Sequence, residues 1–167
     1  NSKKKYDKNG KIAQSGKVNN KILLNYQHQI GEFLYETIVK SFDTNDFSLA
    51  FIKGLSLEDG AATLTELTAS LIRQIFVLCS GKSKVVLCGG GRKNKFLVER
   101  IKKIIDNEPE ILIDLKLIDE FGIDGDFIES QAFAYLAIRS YLGLPISFPD
   151  TTGVNKPCNG GITAEVK

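Results

Sequence analysis

The chain of 167 residues has no Met and no Trp, only one His and only three Cys. Each scarcity excludes something. With His28 alone and no CxxC spacing, no His/Cys zinc set is offered, and because that one His lies in an amphipathic stretch of its own a Ser/His/Asp hydrolase triad is poorly supported. Cys79, Cys88 and Cys158 are odd in number and unpatterned, which argues against a disulfide framework. Cys79 and Cys88 lie in apolar runs and are expected to be core thiols. No apolar run approaches the roughly 18 residues of a membrane span. No secretory signal precedes the domain in the chain as given, so a cytoplasmic protein is expected. The missing Met, with Asn1 first, leaves two expectations: residues have been removed, or this is the later part of a longer chain. What is present is sufficient for one ordinary domain. The sequence is 43% hydrophobic and 25% charged, enough for a core and contrary to disorder.

Charge of one sign is scarce at one end. Residues 1–21 hold seven Lys and a single acid, Asp7, within a chain whose net charge is +2. A basic end can grip nucleic acid. This one lacks Arg and has no aromatic beyond Tyr6, so no nucleic-acid partner is expected. Residues 1–20 read as a basic lead-in, loop or extended, with a solvated, frayed terminus.

Periodicity then organises the chain. Ile22, Leu23, Tyr26, Ile30, Phe33, Leu34 and Ile38 predict an amphipathic helix over 21–41, interrupted at Gly31. Ser56-Leu57-Glu58-Asp59 resembles a capping box ahead of Leu64, Leu67, Leu71, Ile75 and Leu78, which predicts a helix over 57–79. Lys84–Cys88 reads as a strand, followed at once by Gly89, Gly90 and Gly91 and by a helix from about Asn94. Ile111–Leu115 is a second strand. Residues 126–142 predict a helix apolar nearly all round, which should be buried on most sides, with Gly143 as its C-terminal cap. From Pro145 onward the chain is irregular. Helix, strand, glycine turn, helix, strand, helix is an α/β pattern. The expected division is a lead-in over 1–20, a nucleotide-binding lobe over 21–150 and a Gly/Pro-rich tail over 151–167.

The strand–GGG–helix unit carries the strongest chemical signal. Glycines after a strand let the backbone approach a ligand closely, and a following helix offers N–H groups and a positive dipole end. A nucleotide is the natural guest; the alternative is a tight structural turn. Gly89-x-Gly91-x-x-Asn94, with Asp114 downstream, partly imitates the dinucleotide fingerprint but lacks its third glycine. It is not a P-loop, because no GK[ST] follows in register. Glu129, in the first turn of an apolar helix, either complements the helix dipole or is a carboxylate aimed into a cleft, binding a sugar hydroxyl or orienting a metal-bound water. Gln131 could share that role. Thr63, Thr65 and Thr68 are expected to bond back to the preceding helical turn rather than to a ligand. Asp43, Asp46, Asp119, Glu120 and Asp124 read as turn and loop acids.

Five segments in order, YDKNGKIAQSGKV (6–18), GLSLEDGAATLTELTA (54–69), VVLCGGGRKN (85–94), DEFGIDGDFIESQAFAYLAIR (119–139) and LPISFPDTTGVNKPCNGG (144–161), resemble the C-terminal half of anhydro-N-acetylmuramic acid kinase. The departure lies at 26–40, where that family usually has a Pro-containing segment. The resemblance implies the C-terminal lobe of the sugar kinase/Hsp70/actin-like ATPase fold, with a ribonuclease H-like sheet and flanking helices. It implies ATP- and Mg²⁺-dependent phosphorylation of 1,6-anhydro-N-acetylmuramic acid with opening of the anhydro ring, in peptidoglycan recycling. Gly89, Gly90, Gly91 and Asn94 would then lie on the adenosine side of the cleft, and Glu129 would face the sugar. No metal ligand is assigned in this chain. The family's phosphate loops and its catalytic Asp belong to an N-terminal lobe absent from these residues, so the chain alone is expected to be inactive. That lobe is the expected partner, in cis or in trans; a homodimer stays open. Two other readings remain: a non-catalytic nucleotide-binding or assembly module from a split or truncated kinase, and a dinucleotide-binding oxidoreductase fragment.

Overall fold

The computed structural model describes residues 6–35, 44–79, 81–162 and 164 of the chain. Chain contacts divide it after Leu117 into two compact units.

The first unit starts with a surprise in its polar lead-in. Residues 8–15, expected to be loop or extended, form a short 3-10 turn (Lys8–Gly10) and helix α1 (Lys11–Ser15). Asp7 organises them: its two carboxylate oxygens accept the N–H groups of Ile12 and Ala13 at 2.9 and 3.0 Å. Ala13 and Gly10 are buried. For residues 6–20 the frayed-terminus reading is therefore corrected. Composition registers polarity, but a small buried Ala and two close-packed glycines leave no hydrophobic signature.

Helix α2 (Asn20–Tyr35) runs through Gly31 without interruption; residues 36–41 of its expected span fall outside the described residues. Asn19 opens it by accepting the Ile22 N–H. Leu23, Tyr26 and Ile30 meet Leu67 in one core cluster, and the Tyr26 ring stacks on Phe51 with centroids 4.0 Å apart. Helix α3 (Leu57–Leu78) begins where the capping pattern placed it, with Ser56 Oγ accepting the Asp59 N–H at 3.1 Å.

Strands β1 (Ser83–Leu87) and β2 (Ile113–Leu117) pair in parallel, Ser83 opposite Ile113 and Leu87 opposite Leu117. Helix α4 (Lys95–Asn107) is the crossover between them. One sheet face, through Val85, Ile113 and Leu115, packs on a second core cluster of Ala69, Phe76, Ile101 and Ile111 from α3, α4 and the α4–β2 loop. Ile111 thus plugs the core instead of starting β2, which begins two residues later than its pattern suggested. Period-two alternation places Lys84, Val86 and Cys88 on the opposite, exposed face. That corrects the expectation of a buried Cys88. Two ion pairs bind α3 to α4: Arg73 with Glu108, and Arg100 with Glu66 at 2.6 Å.

The second unit holds α5 (Ile128–Tyr141) and α6 (Pro149–Thr152). Gly143 caps α5 with φ +70°, and the Leu144 N–H reaches back to the Arg139 carbonyl at 2.8 Å. Arg139 Nε donates to the Pro145 carbonyl, and Ser140 Oγ donates to the Gly160 carbonyl, so the tail folds against one stripe of α5. The rest of the helix is not buried as its composition predicts: Phe133 is 64% and Tyr141 79% exposed. Its apolar character is real, but among the described residues of the second unit nothing covers it.

Candidate functional site: the glycine turn after β1

The turn stands at the carboxyl end of β1, the end of a parallel sheet where ligands bind. Gly89 has φ +72° and ψ −176°, a backbone conformation open to glycine alone. Gly90–Lys93 then make one 3-10 turn. Its end is fixed by Asn94, whose N–H donates to the Gly91 carbonyl and whose Oδ1 accepts the Leu97 N–H, both at 3.0 Å. Asn94 is thereby the N-cap of α4. Its contact with the lead-in is equally close. A Cβ placed on Gly10 would overlap Asn94 Oδ1 and stand 2.7 Å from Phe96 Cβ.

Sequence reasoning missed Arg92. It is 8% exposed and its Nη1 donates to the Gly89 carbonyl at 2.8 Å. A charged side chain folded beneath a glycine turn gives no sequence signal, because Arg ordinarily reads as surface.

Gly90 and Gly91 behave differently from Gly89 and Gly10. Neither has a positive φ, both are exposed, and a Cβ on either would meet nothing within 4 Å. Neither backbone strain nor packing within the chain requires glycine at these positions. The bare backbone leaves space outward, as close approach by a flat ligand such as a nucleoside requires.

Gly89, Gly90, Gly91 and Asn94 are thus brought into one turn. Glu129 belongs to the second unit. It lies exposed in the first turn of α5, with no hydrogen-bond or ion-pair partner among the described residues. That position complements the helix dipole and leaves the carboxylate available. Gln131 is exposed on the same helix. Thr63, Thr65 and Thr68 all donate to the carbonyl four residues back, at 2.7, 2.9 and 2.9 Å. Thr63, fully buried, also accepts the Asn19 N–H at 3.0 Å. These three are structural.

Asp114 is the second residue of β2, at the end of the sheet away from the glycine turn, where it pairs with Lys116 at 3.6 Å. It borders an open groove of about 620 Å³ with Lys82, Ile111, Leu112 and Ile113. An acid serving a dinucleotide ribose belongs at the other strand end, so the imitation of that fingerprint stops at the glycines. Among the described residues no three His, Cys, Asp or Glu side chains gather as a metal site, and no helix is long and apolar enough to cross a membrane.

Comparison with known proteins covers nearly the whole chain. A family model described as anhydro-N-acetylmuramic acid kinase matches residues 1–165. The curated relative of that name from Pelagibacter ubique is 47% identical over 163 residues, covering 95% of this chain and 42% of the relative. Those from Zymomonas mobilis and Caulobacter vibrioides are 40% and 38% identical, covering 93% and 94% of the chain and 41% and 40% of the relatives. The chain spans about two-fifths of the length of these relatives. With the match running through the lead-in, the glycine turn and the α5 helix alike, the chain belongs to the anhydro-N-acetylmuramic acid kinase family.

Proposed function

We propose that this chain is the adenosine-holding and sugar-facing part of a cytoplasmic kinase that phosphorylates 1,6-anhydro-N-acetylmuramic acid and opens its anhydro ring, in peptidoglycan recycling. The observation that carries the nucleotide half is the outward, unobstructed backbone at Gly90 and Gly91. Family membership supports the sugar half. In the corresponding fold reading, an actin-like ATPase lobe, β1 and α4 present the turn to the nucleotide.

The roles of the chain's residues follow from their placement. Gly90 and Gly91 expose main chain to the adenosine. Gly89 supplies the left-handed bend, Arg92 holds it from beneath, and Asn94 closes it while capping α4. Glu129 is the acid that accepts hydrogen bonds from sugar hydroxyls. ATP supplies the transferred phosphoryl group when bound. Phosphoryl transfer is mostly positioning and charge stabilisation, and the chain offers no described cluster for Mg²⁺. Base, phosphate loops and metal ligands are therefore assigned to a complementary lobe, in cis or in trans, corresponding to length present in the relatives but unmatched here.

ATP titration of the chain tests this directly. Gly90→Val should weaken ATP binding at least about tenfold, roughly 1.4 kcal/mol, without lowering stability. Equal affinity would make the turn structural. The chain alone should show no turnover of ATP with the anhydro-sugar; turnover near that of a full-length relative would overturn the division of labour. The limited coverage of the relatives also favours a second reading, a non-catalytic nucleotide-binding or assembly module from a split or truncated kinase. Adding the complementary lobe separates the two: restored turnover supports the kinase, and binding without turnover supports the module.

A further inference from the structure

Asn94 serves three neighbours at once. Its N–H closes the glycine turn on the Gly91 carbonyl at 3.0 Å. Its Oδ1 and its carbonyl accept the Leu97 and Val98 N–H groups of α4, both at 3.0 Å. The third neighbour is the lead-in, where Gly10 lies so close that a Cβ would overlap Asn94 Oδ1. The lead-in reaches that position through an unusual bend. Asn9 and Gly10 are both left-handed, at φ +62° and +73°, a conformation that glycine adopts freely and Asn tolerates. Asp7 locks the bend. Its backbone carbonyl accepts the Gly10 N–H at 3.2 Å, and its carboxylate takes the Ile12 and Ala13 N–H groups. The far end is tied to α3: a Cβ on Gly16 would overlap the Glu58 carbonyl, and the Lys17 N–H donates to Asp59 Oδ1 at 2.7 Å. All of these contacts lie within the first unit. A left-handed non-glycine residue such as Asn9 persists where its surroundings over-determine it, and such strain points toward function. Capping α4 needs one side-chain oxygen and no wall behind it. The wall at Gly10 does something more: it restricts the side chain of the residue that ends the glycine turn.

We propose that residues 7–17 are a brace that sets the glycine turn for its nucleotide, with Asp7 and Gly10 as positioning residues acting through Asn94. The assignment rests on the nucleotide reading above. When the brace opens, the Asn94 side chain is free to rotate and the Asn94–Gly91 bond loosens. A nucleotide then meets a turn that it must first order, and ordering a loop costs affinity. Linkage makes the effect reciprocal: a nucleotide bound to the ordered turn holds the lead-in closed.

The test is calorimetric ATP binding to the full chain, with each variant shown to be folded by circular dichroism. A folded variant that has only lost stability presents the same turn, so its apparent affinity falls only by the unfolded fraction. Asp7→Ala and Gly10→Ala should each weaken ATP binding at least about fivefold, the low end of typical coupling between sites. Asp7→Asn, which keeps one acceptor oxygen for the two N–H groups, should fall between Asp7→Ala and wild type. Gly54→Ala, at a left-handed glycine with nothing within 4 Å of its Cβ, should change affinity less than about twofold. Gly10→Ala combined with Asn94→Ala should lose less than the sum of the single changes. In wild type, saturating ATP should slow hydrogen exchange of the Ile12 and Ala13 amides and leave those of Lys53 and Leu55 unchanged. Unchanged affinity in Asp7→Ala and Gly10→Ala, additive losses, or no effect of ATP on the Ile12 and Ala13 amides would each overturn the brace. Exchange without ATP keeps the two readings apart: Gly10→Ala should speed the Asn94 and Leu97 amides, and Gly54→Ala should not. If wild type binds no ATP, the nucleotide reading falls while this faster exchange still supports the brace. If ATP binds wild type and Gly10→Ala alike, the brace falls and the nucleotide reading stands.

Discussion

Gly10→Ala offers the sharpest check on how the lead-in meets the glycine turn. Gly10 has φ +73°, a left-handed conformation that costs an L-residue about 1–2 kcal/mol. Strain is only part of the effect. The added Cβ would stand 2.7 Å from Phe96 Cβ and overlap Asn94 Oδ1, against an ordinary carbon contact of about 3.5–4.0 Å. Relief requires Asn94 to rotate away from the Leu97 N–H that it caps, which costs about 1 kcal/mol more. The expected loss is therefore about 2–3 kcal/mol, a large share of a typical stability of about 5–15 kcal/mol. Gly54→Ala is the matched control: its φ is +89°, but its Cβ would meet nothing within 4 Å, so it reports strain alone. Urea unfolding followed by circular dichroism should show a midpoint shift for Gly10→Ala well beyond that for Gly54→Ala, with unchanged slope. In an Asn94→Ala background the excess should shrink by at least about 0.5 kcal/mol. Equal losses for the two glycine variants would refute the close packing of the lead-in on the turn.

Three further outcomes follow from the same geometry. Thr63→Val strands the Asn19 N–H and should cost about 1–3 kcal/mol by urea unfolding; Thr65→Val, whose hydroxyl bonds only within its helix, should cost clearly less, and equal costs would deny Thr63 its bridging role. Arg92→Ala removes the donor to the Gly89 carbonyl and should lower both stability, by about 1.5–3 kcal/mol, and ATP affinity; loss of stability with affinity intact would detach Arg92 from the nucleotide site. The Lys17 backbone N–H and then the Ser56 hydroxyl hold Asp59 below its usual carboxylate range, and the Arg73 guanidinium holds Glu108 low. Depressed folded values contribute stability that is present above the unfolded value near 4 and lost as pH falls through the folded one. The midpoint should thus drop below about pH 4, and Asp59→Asn and Glu108→Gln should flatten that drop; acid limbs parallel to wild type would remove both carboxylates from the account.

The parts legible in the sequence are those governed by local rules. The Ser56 cap, the α3 periodicity, the strand–glycine–helix order and the Gly143 stop are each set by residues within one or two helical turns, and all appear in the structure. What escaped depends on distant partners. Residues 8–15 are ordered by Asp7 and by Gly10 and Gly16 lying against Asn94 and Glu58, contacts that no window around residue 10 can register. Arg92 escaped because its burial depends on the Gly89 carbonyl above it. Cys88 could have been placed by extending the strand alternation one residue beyond Leu87. For α5 the pattern stated a helix apolar nearly all round, and the helix forms, but its expected burial is not found: α5 carries no buried residue and its aromatics are exposed, because composition reports apolarity and not what packs on it.

The two units therefore impose different conditions on the two proposed roles, nucleotide binding at the glycine turn and sugar binding at Glu129. The glycine turn is braced from within its own unit: Arg92 beneath it, Asn94 at its end, Gly10 against Asn94, and a core of Ala69, Phe76, Ile101 and Ile111 under the sheet. Nothing about the conformation of that turn waits for another body. Glu129 has no such bracing. Its helix buries no residue, and the N-terminal turn it occupies has no side-chain cap. A segment with little buried apolar surface opens locally at small free-energy cost, so an isolated chain presents the carboxylate in many positions. On the proposed division of labour, the pre-organisation that sugar recognition requires is supplied by the complementary lobe. ATP binding should thus be measurable in the chain alone, whereas affinity for the anhydro-sugar should appear only in the reconstituted complex and be lost there in Glu129→Gln. Sugar binding of equal strength to the isolated chain would show that Glu129 is positioned without a complementary lobe.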